Sequence, residues 1–336
     1  MREIKDIIEK MLNDKAGEKI ATVENKQGGA NSEVFKLVTD KKNEYFAKRY
    51  YVKKQDGRNK LKTEYYGTLF IWGNGIHNIP EPVCYSENDK VAVYSYLHGR
   101  KIGSDEISSE DVKAAADFYE KLHLLVGAKG SDQQPIASEA CFSMDAYLKC
   151  VEERVERLKK VKNTGSCVSE MHKFLGNELV PFLGVAREHI LGKIKDAARE
   201  LKKDERTLSQ SDVGFHNIIK SQKGELFFID FEYYGWDDPA KLISDFYLSP
   251  DKQLPAKYRK EFFSKMSQVY GKEHVSLKRL PYVYLVLTVK WCLIMLNCYL
   301  HEADKNVCIE QLKRAALKLN EAKKEFREKL FPVSIN

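Results

Sequence analysis

The chain has 336 residues, 31% charged and 43% hydrophobic, the balance of a soluble globular protein long enough for a large core and two lobes or domains. Its net charge of +7 is spread over nearly every segment and not concentrated in a basic block interleaved with aromatics, which speaks against a dedicated nucleic-acid surface and suits a protein that handles nucleotide phosphates. Seven cysteines, with no CxxC pair and no His-Cys cluster at zinc spacing, exclude a recognisable zinc site and read as reduced thiols in a cytoplasmic protein.

In chain order, the charged segment from Met1 to Asp6 has no apolar core and is not a signal peptide. Ile4, Ile7, Ile8, Met11 and Leu12 predict a helix over 4–12. Strands over 20–26 and 34–38 flank Gly28, Gly29, Ala30, Asn31 and Ser32, a hairpin turn whose backbone can approach a ligand closely. A third strand over 44–51 carries Lys48, and a helix over 58–72 carries Glu64 among Leu61, Tyr65, Leu69 and Trp72. Asn74, Gly75, Pro80 and Pro82 end that helix, and a second hairpin follows over 83–86 and 91–96. Helices are expected over 110–125, 143–161, 169–183 and 185–201, with His123 a satisfied core histidine in the first.

The segment from Leu208 to Pro239 has a different character. Strands over 217–220 and 226–231 around Ser221 to Gly224 form a hairpin, with Asp212 and Asn217 at one outer end and Asp230 at the other. A hairpin brings those ends together. Two carboxylates and an amide oxygen at one strand end suit a hard divalent cation and a proton-accepting base. A helix over 239–248 follows, with Asp238 as its cap and Asp237 either a cap or a contact at the rim of a pocket. Helices over 258–270, 282–300 and 307–327 complete the chain. Lys290 inside the long apolar stretch favours a buried helix over a membrane span.

Asp212, Asn217 five residues on, and Ile229, Asp230 and Phe231 after the hairpin together resemble the catalytic and metal-binding segments of the aminoglycoside phosphotransferase and choline kinase family. One departure is Gln210, where that family usually has a histidine that supports the loop. The resemblance implies an α+β, two-lobed protein-kinase-like fold, with a small antiparallel-sheet N-lobe over 1–97 and a larger, mainly helical C-lobe over 98–336. It implies ATP and Mg²⁺ as cofactors. Gly28, Gly29 and Ser32 would then cover the phosphates, with Lys48 on the α and β phosphates and Glu64 holding Lys48 straight. The connector around Ser95 and Leu97 would offer backbone groups to the adenine. Asp212 would be the catalytic base, and Asn217 and Asp230 the metal ligands.

Glu232 would bind metal through water or cap a turn. Tyr233, Tyr234 and Trp236 would cage a quaternary ammonium or stack on a sugar, and Trp291 lies on a late helix expected to line the pocket. The expected activity is phosphorylation of a hydroxyl on a small metabolite, first a sugar-like compound and second an amino alcohol such as choline or ethanolamine. The chain is expected to act without nucleic acid or membrane, as a monomer or homodimer. A catalytically silent binding protein on the same fold is the rival from another class.

Overall fold

The computed structural model describes residues 2–26, 32–51, 57–163, 165–249, 254–301 and 303–328, so Gly28 and Gly29 of the expected turn lie outside the described residues. The chain forms two units, one from residues 1–138 with 208–236 and the other from residues 139–207 with 237–336.

In the first unit, β1 (Ile20–Lys26), β2 (Ser32–Thr39), β3 (Glu44–Tyr50), β4 (Pro82–Ser86) and β5 (Val91–Ser95) pair antiparallel in the order β1-β2-β3-β5-β4. Side chains alternate across a strand, so the sheet has two apolar faces. On one, Phe35, Leu37, Ala47, Val91 and Val93 pack with Ile4, Ile8 and Leu12 of α1 (Arg2–Ala16). On the other, Tyr50, Ala92 and Tyr94 pack with Leu61 and Tyr65 of α2 (Lys60–Gly73), whose first turn is capped by Asn59 accepting from the Lys62 N–H at 3.1 Å. Lys48 stands one residue after Ala47 and two before Tyr50, so the alternation aims it at α2.

The chain from Gly99 to Ser138, including α3 (Ser109–Leu124), stays with the sheet. Short strands β6 (Thr207–Ser209) and β9 (Gly235–Asp237) stand where the chain passes between units, and β7 (Ile218–Lys220) and β8 (Leu226–Phe228) form the expected hairpin. That hairpin is tied to the connector, because Arg100 and Lys220 exchange backbone hydrogen bonds of 3.0 and 2.9 Å. Phe118 of α3 stacks on Phe228 with centroids 3.7 Å apart. A Cβ at Gly99 would lie 2.5 Å from the Lys220 carbonyl oxygen. Gly99→Ala is therefore expected to destabilise by about 1–3 kcal/mol through overpacking against backbone, read as a lower urea midpoint at unchanged slope.

The second unit is helical: α4 (Met144–Lys159), α5 (Ser166–Phe174), α6 (Val180–Lys193), α7 (Pro239–Leu248), α8 (Ala256–Tyr270), α9 (Val275–Met295) and α10 (Lys305–Glu328). Helix α9 is its axis, packed on α4, α6, α7 and α10. It is long and apolar enough to cross a membrane by length and composition, and 72% of its most apolar window is buried. Lys290 within it pairs with Glu139 at 3.3 Å.

The two helices expected over 169–201 are differently divided. A π-type turn at Leu175–Leu179 joins α5 to α6, and the helix stops at Lys193. Residues beyond it turn to the start of α4 instead, where the Asp145 N–H donates to the Ala197 carbonyl (3.0 Å) and the Leu201 N–H to that of Phe142 (2.8 Å).

Charges are buried at the start of α7. Asp238 caps it, accepting from the Ala240 N–H at 2.9 Å while also holding Tyr147 Oη and Arg279. Lys241 Nζ lies 2.9 Å from Asp237 Oδ2 and 3.2 Å from Asp245 Oδ2, all three groups enclosed. Burial alone would lower the Lys241 pKa, but the two carboxylates outweigh it and hold the ammonium charged. Lys241→Met should leave those carboxylates uncompensated and cost about 3–5 kcal/mol. Chemical denaturation measures it, and a variant as stable as the parent would show that the triad is energetically neutral.

Candidate active site

The hairpin closes as its turn residues require, with Gly224 at φ 85° and the Ser221 N–H bonded to the Glu225 carbonyl at 2.9 Å. Both strands are shorter than expected. Phe215–Asn217 is a 3₁₀ turn, and the second strand stops at Phe228 because Asp230 takes φ 68°. One bond joins the ends, from the Ile229 N–H to the Asn217 carbonyl at 3.0 Å. Asn217 and Asp230 are thereby brought side by side.

Asp212 follows a tight turn. Its N–H bonds to the Gln210 carbonyl at 3.0 Å across Ser211, whose φ is 69°. Such a γ-turn is strained, and it is held by Ser211 Oγ donating to the Ser138 carbonyl and the Ser211 N–H donating to Ser209 Oγ, both at 2.9 Å. Gln210 is buried and donates Nε2 to the Ile229 carbonyl. It thus bridges the loop before Asp212 to the loop before Asp230.

The Asp212 carboxylate is fixed from both sides. Oδ1 is 3.2 Å from His216 Nε2, and Oδ2 accepts from Asn217 Nδ2 at 3.1 Å. Asn217 Nδ2 also donates to the Asp212 carbonyl at 3.0 Å. With the amide nitrogen turned to Asp212, Asn217 Oδ1 is the atom presented to the opposite side. Asp212 itself remains about one-third exposed (34%), open to a reactant.

Lys48 meets three carboxylates: Asp230 Oδ1 at 2.7 Å, Glu64 Oε2 at 2.8 Å and Glu232 Oε2 at 3.1 Å. Tyr50 Oη donates to Glu64 Oε2 at 2.7 Å, and the Phe231 N–H donates to Glu64 Oε1 at 3.3 Å. Lys60 Nζ lies 3.9 Å from Glu232 Oε1. Burial would lower the Lys48 pKa, but Glu64, Asp230 and Glu232 raise it well above the ordinary value. Burial pushes the Asp230 carboxyl up, and the Lys48 charge and hydrogen bond bring it net below the usual range. Glu64, which is buried, is pushed up by burial against the pull of Lys48. Carboxylate oxygens of Glu64, Asp230 and Glu232 all lie within 4.8 Å of one another. An all-oxygen donor set with a surplus of negative charge fits a magnesium ion, with Asp230 and Asn217 the ligands expected from the sequence.

The other expected positions are spread more widely. Ser32 is buried at the start of β2, in register with Tyr50. Ser95 Oγ accepts the Glu81 N–H at 2.9 Å, and Leu97 lies just past the last strand residue, partly exposed. The Tyr234 side chain is 0% exposed, and a Cβ at Gly67 would lie 2.5 Å from its ring, so the structure places it in the core against α2. Trp236 is likewise enclosed, donating Nε1 to the Ser131 carbonyl at 3.1 Å. Asp237 belongs to the second unit, is fully buried, and is bonded to Lys241 and the Asp238 N–H. Trp291, also in the second unit, donates Nε1 to Asp245 Oδ1 at 2.9 Å. Sequence reasoning missed Tyr50, Lys60 and His216. The spacing of Tyr50 two residues after Lys48 on one strand face was the available signal for the first.

A scan against protein-family models finds no match, and a search of curated proteins finds none. Solved structures do match. A spectinomycin phosphotransferase in complex with ADP and spectinomycin is similar at a TM-score of 0.66 and 14% identity, covering 96% of this chain and 98% of that one. A choline kinase from Cryptosporidium parvum matches at 0.62 and 14%, covering 98% of both chains. The choline kinase LicA from Streptococcus pneumoniae matches at 0.60 and 16%, covering 95% of this chain and 99% of that one. The α+β protein-kinase-like fold expected from the sequence is therefore the fold of this chain.

Proposed function

We propose that the protein is an ATP- and Mg²⁺-dependent phosphotransferase acting on a hydroxyl group of a small metabolite, a sugar-like compound before an amino alcohol. The single observation that carries this reading is the meeting of Asp212, Asn217, Asp230, Lys48 and Glu64 within one unit from segments far apart in sequence. A silent binding protein has no need of an oriented, part-exposed carboxylate beside a lysine held by three acids. Fold likeness to kinases of antibiotics and of choline is compatible with the reading and leaves the acceptor open.

Phosphoryl transfer needs positioning and charge neutralisation more than covalent help. In the proposed reaction the substrate oxygen attacks the γ-phosphorus, the bond to the bridging oxygen of ADP breaks, and the hydroxyl proton passes to Asp212. His216 and Asn217 hold the Asp212 carboxylate in one orientation for that transfer. Lys48, kept charged by its carboxylates, pairs with the nucleotide phosphates. A magnesium ion, when bound, neutralises phosphate charge, and Asn217 Oδ1 and the Asp230 carboxylate are the groups that would hold it.

Tyr234 and Trp236 are buried, which weakens an aromatic cage for a quaternary ammonium and a stacking platform for a sugar alike, so the choice of acceptor rests on the test. The test is transfer of γ-phosphate from ATP to a panel of sugars, polyols, aminoglycosides, choline and ethanolamine. Turnover of a sugar or polyol supports the first reading, and turnover of choline or ethanolamine alone replaces it with the second. Absence of turnover across the panel points to a binding protein.

A further inference from the structure

We propose that the second unit carries a binding site for a small organic anion with an apolar body, in the cavity between the end of α4, the start of α5 and the start of α10. The cavity has a volume of about 780 Å³, within the range of small-molecule sites. Every lining residue belongs to the second unit, and none is among the residues of the candidate active site.

Its described lining is cationic. Arg157, Lys160, Lys162 and Lys305 line it, and among the described residues no acidic side chain does. Among the described residues none of these four is in an ion pair, whereas their neighbour Lys159 turns to Glu156 at 2.8 Å. Four like charges around one opening repel each other, and walls of low dielectric focus their field into the cavity. An anion relieves that repulsion. The first turn of α5 adds to the same field, because Gly165 before it supplies no side-chain cap and its first N–H groups stay available as donors.

The interior is apolar and already formed. Tyr299, Leu300 and Val168 supply carbon surface. Tyr299 Oη donates to the Cys308 carbonyl at 3.2 Å and lies 3.4 Å from Cys167 Sγ, which fixes the ring between α5 and α10. His172 Nε2, 2.9 Å from the Val161 carbonyl, ties α5 to the segment that carries Lys160 and Lys162. A cationic rim over an aromatic and aliphatic floor selects a ligand with both an anionic head and an apolar body. A bare inorganic anion would engage only the rim.

The probe is 1-naphthalenesulfonate, titrated into the full chain by calorimetry at low salt, with 1-naphthalenemethanol as the uncharged comparison. The expected result is saturable one-to-one binding with Kd below about 1 mM. The double variant Arg157→Glu/Lys160→Glu, and separately Lys305→Glu, should weaken it roughly tenfold or more, while Lys195→Glu, an exposed lysine of the same unit outside the cavity, leaves it unchanged. Lys48→Met also leaves it unchanged, which separates this site from the nucleotide site. All the reversed residues are exposed, so circular dichroism should report an intact fold. Equal binding of the neutral alcohol, equal loss in Lys195→Glu, full retention in the reversal variants, or binding to anionic vesicles without binding of the soluble probe would each overturn the proposal.

Discussion

Asp212→Asn lowers kcat for the true substrate by about 10²–10⁴-fold while nucleotide affinity is kept, the size expected for loss of a positioned base. The substitution is nearly isosteric. Its remaining oxygen still accepts from Asn217 Nδ2, which in the parent donates at 3.1 Å to Asp212 Oδ2 and at 3.0 Å to the Asp212 carbonyl. The γ-turn at Ser211 is held by Ser138 and Ser209 and does not use the carboxylate. What disappears is a charged acceptor for the hydroxyl proton. Steady-state kinetics paired with nucleotide titration decides the matter. Unchanged turnover removes Asp212 from the mechanism, and a parallel loss of nucleotide binding would mean that the loop had been disturbed.

Asp230→Asn abolishes the strengthening of nucleotide binding by Mg²⁺ and lowers turnover by about 10²–10³-fold, the loss typical of removing one preorganised electrostatic group from a reacting centre. Asparagine is the informative replacement because residue 230 has φ 68°, a conformation that Asn tolerates and alanine does not. The change takes one anion from the group around Lys48, whose ammonium retains Glu64 at 2.8 Å and Glu232 at 3.1 Å. The fold should survive, since the lysine stays paired. Nucleotide titrations with and without Mg²⁺ give the answer, and a metal effect that persists in the variant would shift the ligand role away from Asp230.

The parts that were legible in the sequence are local. Apolar spacing located α1, α2 and α3 to within a few residues, because each buries residues that recur at helical spacing. The hairpin of β7 and β8 was legible from its turn. Its strand ends were not, since the positive φ at Asp230 is tolerated by Asp but not required by it. The helix over 185–201 was overextended for another reason: Ala197 and Leu201 make their backbone bonds to the start of α4, and periodicity is blind to a partner distant in the chain.

By itself the sequence determined the order of the chemical groups and the strand alternation that puts Lys48 and Tyr50 on one face. Those follow from covalent order and a two-residue repeat. Only the tertiary structure decided which groups are reachable and which are neutralised. Tyr234 and Asp237 have the residue types of a ligand site, yet packing against Gly67 encloses the first and Lys241 neutralises the second. Gln210 stands where a histidine was expected and bridges the two loops. Burial and pairing depend on segments far apart in sequence, and a carboxylate acquires its chemistry from those neighbours.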